Sequence, residues 1–541
     1  WLDNDFYGTT FSSNYKEEKL NLVIGGAYNK YEGAHFGNVI WARYASQSEL
    51  GDRYYDDFAT KTDGNLFVKA NFQLSEKISF YGDLQIRNVH YKANSLETGI
   101  YFDPKTNAVV YNSVKYPSYK VFDGKFQTFN PKPEEDINEE FITIPANNVK
   151  PLNITAQEIK PGLVRLKSIN GDLPEVGWFY VAKGYNSENR LVPAVRIYSS
   201  SNIAVENVNV YHAGGMGLIA EKCTNINLDK FNVRLREGTK RHLSTTADAT
   251  HFVNCKGLVK IENCLFENQL DDATNIHGTY VEVTKVINNK TVEVKLGHFQ
   301  QRDFDFAQAD DTLTIVEMKS FAKKKDFILA GLEKVNEKYY QLTFKDNILN
   351  DIKIGDLIDN SNWYPEVILR NNRALNNRAR GFLIASPKKV LIENNTFSNM
   401  MSAILLEASK YSWWYESGNV QDLTIKNNTF LDGTYGGGKN GLIEVLAQSP
   451  GLVKNINIIN NKFNSFNPML LNINGVTNLK FSGNTINQST KYPILYQAPA
   501  LLNFFNCQNV IVSDNKVNGF REFSFTNGNI VDSKFIPNSK N

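Results

Sequence analysis

Three aspartates in two short stretches carry the chemistry this sequence offers. The first stretch is Thr245-Thr246-Ala247-Asp248-Ala249-Thr250-His251-Phe252, and the second is Leu270-Asp271-Asp272-Ala273-Thr274-Asn275-Ile276-His277-Gly278. Asp272 follows Asp248 by 24 residues (272 − 248), close to one coil of a parallel β-helix, whose neighbouring strands lie ~4.7–4.9 Å apart. That spacing stacks the three carboxylates on adjacent coils. Neighbours along a strand point to opposite faces, so Asp271 and Asp272 can share a groove only where the chain bends at a coil corner. Crowded like charges raise at least one carboxyl pKa, as a general acid at neutral pH requires, and paired carboxylates are what glycoside hydrolysis uses. Two plainer readings compete: Asp-Asp as a polar turn, and three carboxylates as ligands of a hard cation such as calcium.

Further candidates lie around the aspartates. His251 and His277 could orient a carboxylate or bind a sugar hydroxyl, against the plainer reading of structural histidines near a turn; His242 borders the same stretch. Trp413-Trp414-Tyr415-Glu416-Ser417-Gly418 falls on a loop. Tandem Trp413 and Trp414 suit stacking on the apolar face of a pyranose, with Glu416 gripping hydroxyls; the plainer reading is filling between coil and loop. Arg378, Arg380 and Glu407 sit at comparable coil positions and are read as lining the same groove.

The elements that must position these residues are legible as a repeat. Asn-centred turns follow β-branched runs at Arg370-Asn371-Asn372, Glu393-Asn394-Asn395, Lys426-Asn427-Asn428, Ile459-Asn460-Asn461, Ser482-Gly483-Asn484 and Ser513-Asp514-Asn515. The last Asn of each recurs at intervals of 23, 33, 33, 23 and 31 residues, a base period near 23 with insertions, the mark of a β-solenoid. Asn tolerates the left-handed turn conformation and can hydrogen-bond along a ladder, which suits a coil corner. Alternating strands without Asn corners interrupt the repeat at residues 138–190 and 279–362 and read as small inserted β domains, the second starting directly after His277-Gly278. The expected organisation is coils over 98–137, 191–278 and 363–541, with those two insertions. Residues 1–97 differ: tyrosine-rich alternation in runs of about ten residues between polar turns suits tilted membrane-barrel strands or a soluble sheet.

Composition narrows the classes. A chain of 541 residues exceeds one ordinary core, unless it is a solenoid. Hydrophobic content of 42% and charged content of 21% exclude a disordered chain, and a net charge of +2 gives no field for nucleic acid. Cys223, Cys255, Cys264 and Cys507 are too irregular for a disulfide framework or a zinc site and read as small buried residues. No apolar run nears the ~20 residues of a membrane helix, a test silent on β-barrels. The start at Trp1, with no basic or apolar leader, reads as a piece from which any signal peptide is missing.

Several motifs carry a resemblance. Thr246-Ala247-Asp248-Ala249-Thr250-His251-Phe252, Asp271-Asp272-Ala273-Thr274-Asn275-Ile276-His277-Gly278, Ala379-Arg380-Gly381 and Trp414-Tyr415-Glu416-Ser417-Gly418 resemble glycoside hydrolase family 110 over residues 99–541. The resemblance implies an all-β right-handed parallel β-helix with inserted β-barrels, an inverting exo-α-1,3-galactosidase acting on blood group B-type or linear α-galactosides, and Asp248, Asp271 and Asp272 as catalytic carboxylates. It implies no cofactor and no metal, galactose-terminated glycans as partners, and a periplasmic, secreted or cell-surface location in a Gram-negative bacterium. Trp1-Leu2-Asp3-Asn4-Asp5-Phe6-Tyr7-Gly8 and Tyr81-Gly82-Asp83-Leu84-Gln85 instead resemble barrel strands of TonB-dependent outer-membrane receptors of Bacteroidetes, so the chain reads as a join of two unlike sequences, with a membrane association only through that part. The rival functions are a polysaccharide lyase on the same solenoid, a transport protein and a non-catalytic carbohydrate-binding solenoid.

Overall fold

Parallel stacking of short strands builds most of the chain. The computed structural model describes residues 2–38, 53–95, short strands between 101 and 167, and 192–535 apart from breaks at 239–242, 302, 409–413, 437–438, 493, 495–497, 521–524 and 529–533. Ten, nine and eleven strands form three sheets, and within each the partner of a strand is its counterpart one coil earlier or later, in parallel. In the last sheet ten strands stack in this way, and the eleventh, Glu416–Ser417, pairs antiparallel with the end of Thr274–Thr279. The lumen is filled by Val, Ile, Leu and Phe side chains, among them Phe397, Phe430 and Phe463, whose rings stack at 5.2 and 4.6 Å between centroids. Such a core is dry and has no end-to-end closure, so each coil depends on the next.

The Asn-Asn corners explain themselves once the backbone is followed. Asn371, Asn394, Asn427 and Asn460 take φ of 56–58°, the left-handed region, which Asn tolerates better than most residues. The following Asn turns inward and forms a ladder. The amide nitrogen of Asn372 donates to Asn395 Oδ1 at 2.8 Å, Asn395 to Asn428 at 2.8 Å, Asn428 to Asn461 at 2.9 Å, Asn461 to Asn484 at 2.9 Å and Asn484 to Asn515 at 3.0 Å. Cys264 enters the same ladder, its amide donating to Asn372 Oδ1 at 2.9 Å. The four cysteines are free and buried.

The insertion after His277-Gly278 is a closed barrel of six antiparallel strands between Val281 and Asn360, with its own apolar core. Val253, on an outward face of the helix, belongs to that core, and Asn254 Nδ2 donates to the Phe306 carbonyl at 3.3 Å, so the barrel is docked on the coil that carries Asp248. Of 138–190, the described residues are Thr155–Lys160 and Leu163–Lys167, a two-stranded sheet. Of 98–137 they are Tyr101–Asp103 and Ala108–Val110, paired antiparallel.

The first unit of the chain is an open four-stranded antiparallel sheet, Leu2–Lys16, Leu20–Asn38, Arg53–Ser75 and Ile78–Ser95. Strands of 15, 19, 23 and 18 residues replace the runs of about ten read from the sequence. Polar residues such as Asn29, Lys30 and Asp63 sit in continuous pairing, Asn29 opposite Asp63, because alternation lets a strand carry them without ending. Phe6, Tyr81, Leu84 and Ile86 are each more than 60% exposed.

The ladder gives a measurable expectation. Asn428→Ala leaves the amide of Asn395 and the carbonyl of Ile392 without their partner. At ~1–3 kcal/mol per stranded buried group, urea unfolding should show a loss of about 3 kcal/mol or more. Asn518→Ala, which removes one exposed side-chain bond to Asn487, should stay within ~0.5 kcal/mol.

Candidate active site

The two aspartate stretches meet at one corner of the helix. Thr250–Val253 pairs in parallel with Thr274–Thr279, which pairs with Phe382–Ile384, in the register Thr250↔Thr274↔Phe382. Asp248, Asp272 and Arg380 each stand two residues before those partners, so they occupy one position on three successive coils. Backbone bonds lock the column: Gly217 N donates to Asp248 O at 2.9 Å, Ala249 N to Asp272 O at 2.9 Å and Ala273 N to Arg380 O at 3.1 Å. Asp271 and Asp272 lie in the bend before their strand, as sharing a groove requires. One oxygen from each of Asp248, Asp271 and Asp272 lies within 4.8 Å of the other two, and all three side chains are buried.

Such a cluster needs compensation, and Arg380 supplies the largest part. Its backbone nitrogen donates to Asp272 Oδ1 at 2.9 Å and its guanidinium to Asp272 Oδ2 at 2.8 Å. Burial works against the guanidinium charge, but Asp272, Asp271, Glu416 and Asp248 hold it above its ordinary pKa. Burial pushes the Asp272 carboxyl well up; Arg380 opposes this, and Asp271 and Asp248 add to it, so Asp272 keeps its proton to higher pH than an isolated aspartate does. Asn377 Nδ2 donates to the backbone oxygens of Asp271 at 2.9 Å and Arg380 at 2.7 Å, fixing the corner from behind.

His251, Asn275 and His277 point outward from the strands, opposite to Phe252 and Ile276 in the lumen. His251 Nδ1 is 2.5 Å from Asp248 Oδ2, and His251 Nε2 is 2.8 Å from His277 Nε2. Glu416 reaches this pair on the short strand Glu416–Ser417, which lies antiparallel beside Gly278 and Thr279. The close approach depends on Gly278, where a Cβ would stand 2.4 Å from Ser417 Oγ. The barrel end holds the strand: Ser417 Oγ and Tyr364 OH donate to Asp359 Oδ1, both at 2.7 Å, and burial pushes the Asp359 carboxyl up to about 6. Asn275 Nδ2 donates to Glu416 Oε1 at 3.2 Å, and His277 Nε2 is 3.6 Å from the same oxygen. Burial alone would raise the Glu416 pKa; His277, His251, Arg380 and Asn275 reverse this and hold it below the usual range.

The remaining candidates separate. Glu407 is on the coil after Arg380 but not at a comparable position, because Phe382 pairs with Ile404 and Ser402 is the residue level with Arg380. Burial pushes the Glu407 carboxyl up to about 7, with Arg380 lowering it and Glu416 and Glu444 raising it. Trp414 is partly buried, stacked on the barrel residue His298 at 4.1 Å, and its carbonyl accepts from Gln301 at 2.8 Å, so the loop is tied to the barrel. Trp413 and His242 lie outside the described residues. Arg378 donates to the carbonyl of Leu270 at 2.7 Å, a clamp on the preceding coil. Sequence reading missed Asn275, Asn377 and Glu444. Asn275 was findable as the register partner of His251; Glu444, buried and accepting from Ser402, Asn440 and Asn472, carries no local signal. Among the described residues, two donor sets are tight enough to contact one ion, Asp248/Asp271/Asp272 and His251/His277/Glu416.

Fold and site together define a right-handed parallel β-helix protein with an inserted barrel beside a buried carboxylate centre. The family model for GLAA-B beta-barrel domain II matches residues 291–358, and the model for the right handed beta helix region matches residues 354–539. Among curated relatives, alpha-1,3-galactosidase A of Shewanella woodyi is 31% identical over 388 residues, 69% of this chain and 62% of its own length. Alpha-1,3-galactosidase A of Bacteroides fragilis is 29% identical over 366 residues, 66% and 60% of the two chains. Alpha-1,3-galactosidase B of Bacteroides thetaiotaomicron is 29% identical over 377 residues, 67% and 61%. The chain is a homologue of alpha-1,3-galactosidases A and B, and it spans about three fifths of the length of these relatives.

Glu407 supplies the expectation that follows from these charges. Its folded pKa of about 7 exceeds its ordinary 4.5, so the fold disfavours its ionised form: that penalty is absent below pH 4.5 and complete above pH 7. Glu407→Gln should therefore raise the melting temperature relative to the parent at pH 8, and the gain should fade as the pH falls toward 5.

Proposed function

We propose that the chain hydrolyses terminal α-1,3-linked galactose from oligosaccharides or glycoconjugates, by direct displacement with inversion. The names of its relatives support the substrate class. The observation that carries the chemistry is the buried trio, Asp248, Asp271 and Asp272, with oxygens within 4.8 Å of one another at a coil corner beside Arg380. Asp271, the most exposed of the three at 8%, protonates the leaving oxygen, while Asp248, with Asp272 beside it, holds and deprotonates the attacking water. The spacing by itself is nearer to the ~5–5.5 Å of double displacement than to the ~6.5–9.5 Å usual for inversion. His251 Nδ1 engages Asp248 Oδ2 and leaves the other oxygen of Asp248 to take the proton of an attacking water.

Galactose hydroxyls have partners waiting. Among the described residues, Arg380 Nε and Asn275 Oδ1 are buried without a hydrogen-bond partner, one a donor and the other an acceptor. Unmatched buried groups of this sort reward a ligand that completes them. Glu407, Glu416, His251 and His277 complete the wall, and Trp414 adds an aromatic rim. A lyase would use a cation able to give up its proton, whereas Arg380 is held charged. The substrates are galactose-terminated glycans met outside the cytoplasm.

Incubation with α-1,3-galactobiose or the blood group B trisaccharide, followed by proton NMR, should show β-galactose as the first product; α-galactose first would contradict inversion. Replacing Asp248, Asp271 or Asp272 by Asn should cut kcat by ~10²–10⁴-fold with far-UV circular dichroism unchanged, and near-parent rates in all three variants would place the chemistry elsewhere.

A further inference from the structure

Two outward histidines on adjacent coils lie in series between a catalytic carboxylate and a backbone carbonyl. His251 Nδ1 is 2.5 Å from Asp248 Oδ2, His251 Nε2 is 2.8 Å from His277 Nε2, and His277 Nδ1 is 2.6 Å from the carbonyl oxygen of Gly278. All three side chains are buried. Each distance is that of a hydrogen bond, and each bond needs one proton. A carbonyl only accepts, so His277 Nδ1 is the donor there. Three bonds need three protons, and two neutral imidazoles supply two. The third is an additional proton, whichever of the three groups carries it.

We propose that Asp248, His251 and His277 form one proton-holding unit, in which the two histidines are positioning residues that keep Asp248 bonded to a mobile proton and lead positive charge from it toward Glu416. This deepens the glycosidase reading and rests on it. The protons balance as follows. Asp248 starts as a carboxylate accepting from His251 Nδ1; His251 is the imidazolium and donates through Nε2 to His277. When water attacks the anomeric carbon, its O–H bond breaks and the proton goes to the free oxygen of Asp248. The Nε2 proton of His251 then passes to His277 Nε2, and the charge arrives 3.6 Å from Glu416 Oε1. As the anomeric carbon's bond to the departing sugar oxygen breaks, that oxygen takes its proton from Asp271; afterwards the unit gives its extra proton to solvent and Asp271 recovers one from solvent.

The charged and titratable groups facing the unit are Asp271, Asp272 and Arg380 from the coil corners and Glu416 from the added strand. Burial and the neighbouring His251 hold the His277 pKa down, although Glu416 pulls it up. One positive charge shared by two rings accounts for both this and the ionised Glu416. The alternative occupant of the gap is a metal ion on His251, His277 and Glu416. Two imidazole nitrogens at ~2.0–2.1 Å from a tetrahedral zinc would stand ~3.3 Å apart, and the observed 2.8 Å is a hydrogen-bond distance.

Nitrogen NMR of the unmodified chain with labelled histidines, seven in all, tests the unit without any substrate. At neutral pH the two rings should carry three protonated nitrogens between them, the resonances being assigned from His251→Gln and His277→Asn. Two protonated nitrogens would overturn the proposal, and a response of those signals to a chelator would overturn it in favour of a metal ion. In kinetics on α-1,3-galactobiose, His277→Asn, whose amide can still reach the Gly278 carbonyl, should lower kcat with KM near the parent value. The double variant with Asp248→Asn should be no slower than Asp248→Asn alone, because a residue acting through another has nothing further to lose. Losses that multiply would overturn the positioning role. A chain inactive on every galactoside would end the glycosidase reading and leave the proton unit to the NMR result.

Discussion

The hydrogen bond from one coil's backbone to the next is the interaction on which the rest depends. In the column through Met216, Asp248, Asp272 and Arg380 the residue after each of the first three, Gly217, Ala249 and Ala273, donates its N–H to the column's carbonyl on the coil beyond. That repeat converts sequence distance into spatial contact. Asp248 and Asp272 are one coil apart along the chain, whereas Asp272 and Arg380 are separated by 108 residues and an entire barrel, yet all three stack as equivalents. The same stacking produces the Asn ladder and the phenylalanine row, so stability and site geometry come from one device.

Stacking alone would place three carboxylates together and no more. Their mutual repulsion and burial are offset by groups of two origins, Arg380 from the next coil and His251 and His277 from the outward face, while Glu416, on a strand delivered by a loop and held by the barrel, faces the two histidines as their counter-charge. The barrel thus has a role beyond filling space. Its Asp359, Tyr364 and Ser417 network fixes the strand that brings Glu416, and His298 holds the loop through Trp414. Positive and negative groups alternate across the site, so a proton can be gained or lost there without stranding an isolated buried charge.

Much of the solenoid was legible because Asn at a left-handed corner is a strong and repeated requirement, and the inserted barrel was legible as β structure because its strands alternate without Asn corners. The aspartates were legible because one coil separates them. Arg380 was harder: the inserted barrel destroys the period where it is needed, so its coil position and the Ala379-Arg380-Gly381 motif put it in the groove without tying it to Asp272. The His251–His277 contact was not legible at all, since it runs diagonally between a residue and the second neighbour of its register partner, Asn275. In the first unit the polar residues read as turns lie within strands of up to 23 residues, because alternation tolerates polar side chains that a local reading treats as breaks.

The central claim is that coil stacking and the docked barrel build one galactoside site at Asp248, Asp271 and Asp272. The most direct measurement is a crystal structure of the Asp271→Asn variant soaked with α-1,3-galactobiose. The expected result is a terminal galactose with its anomeric carbon against Asp248 and Asp272 and its hydroxyls on Arg380 Nε and Asn275 Oδ1. A galactoside seated elsewhere on the chain, with this corner unliganded, would contradict the account.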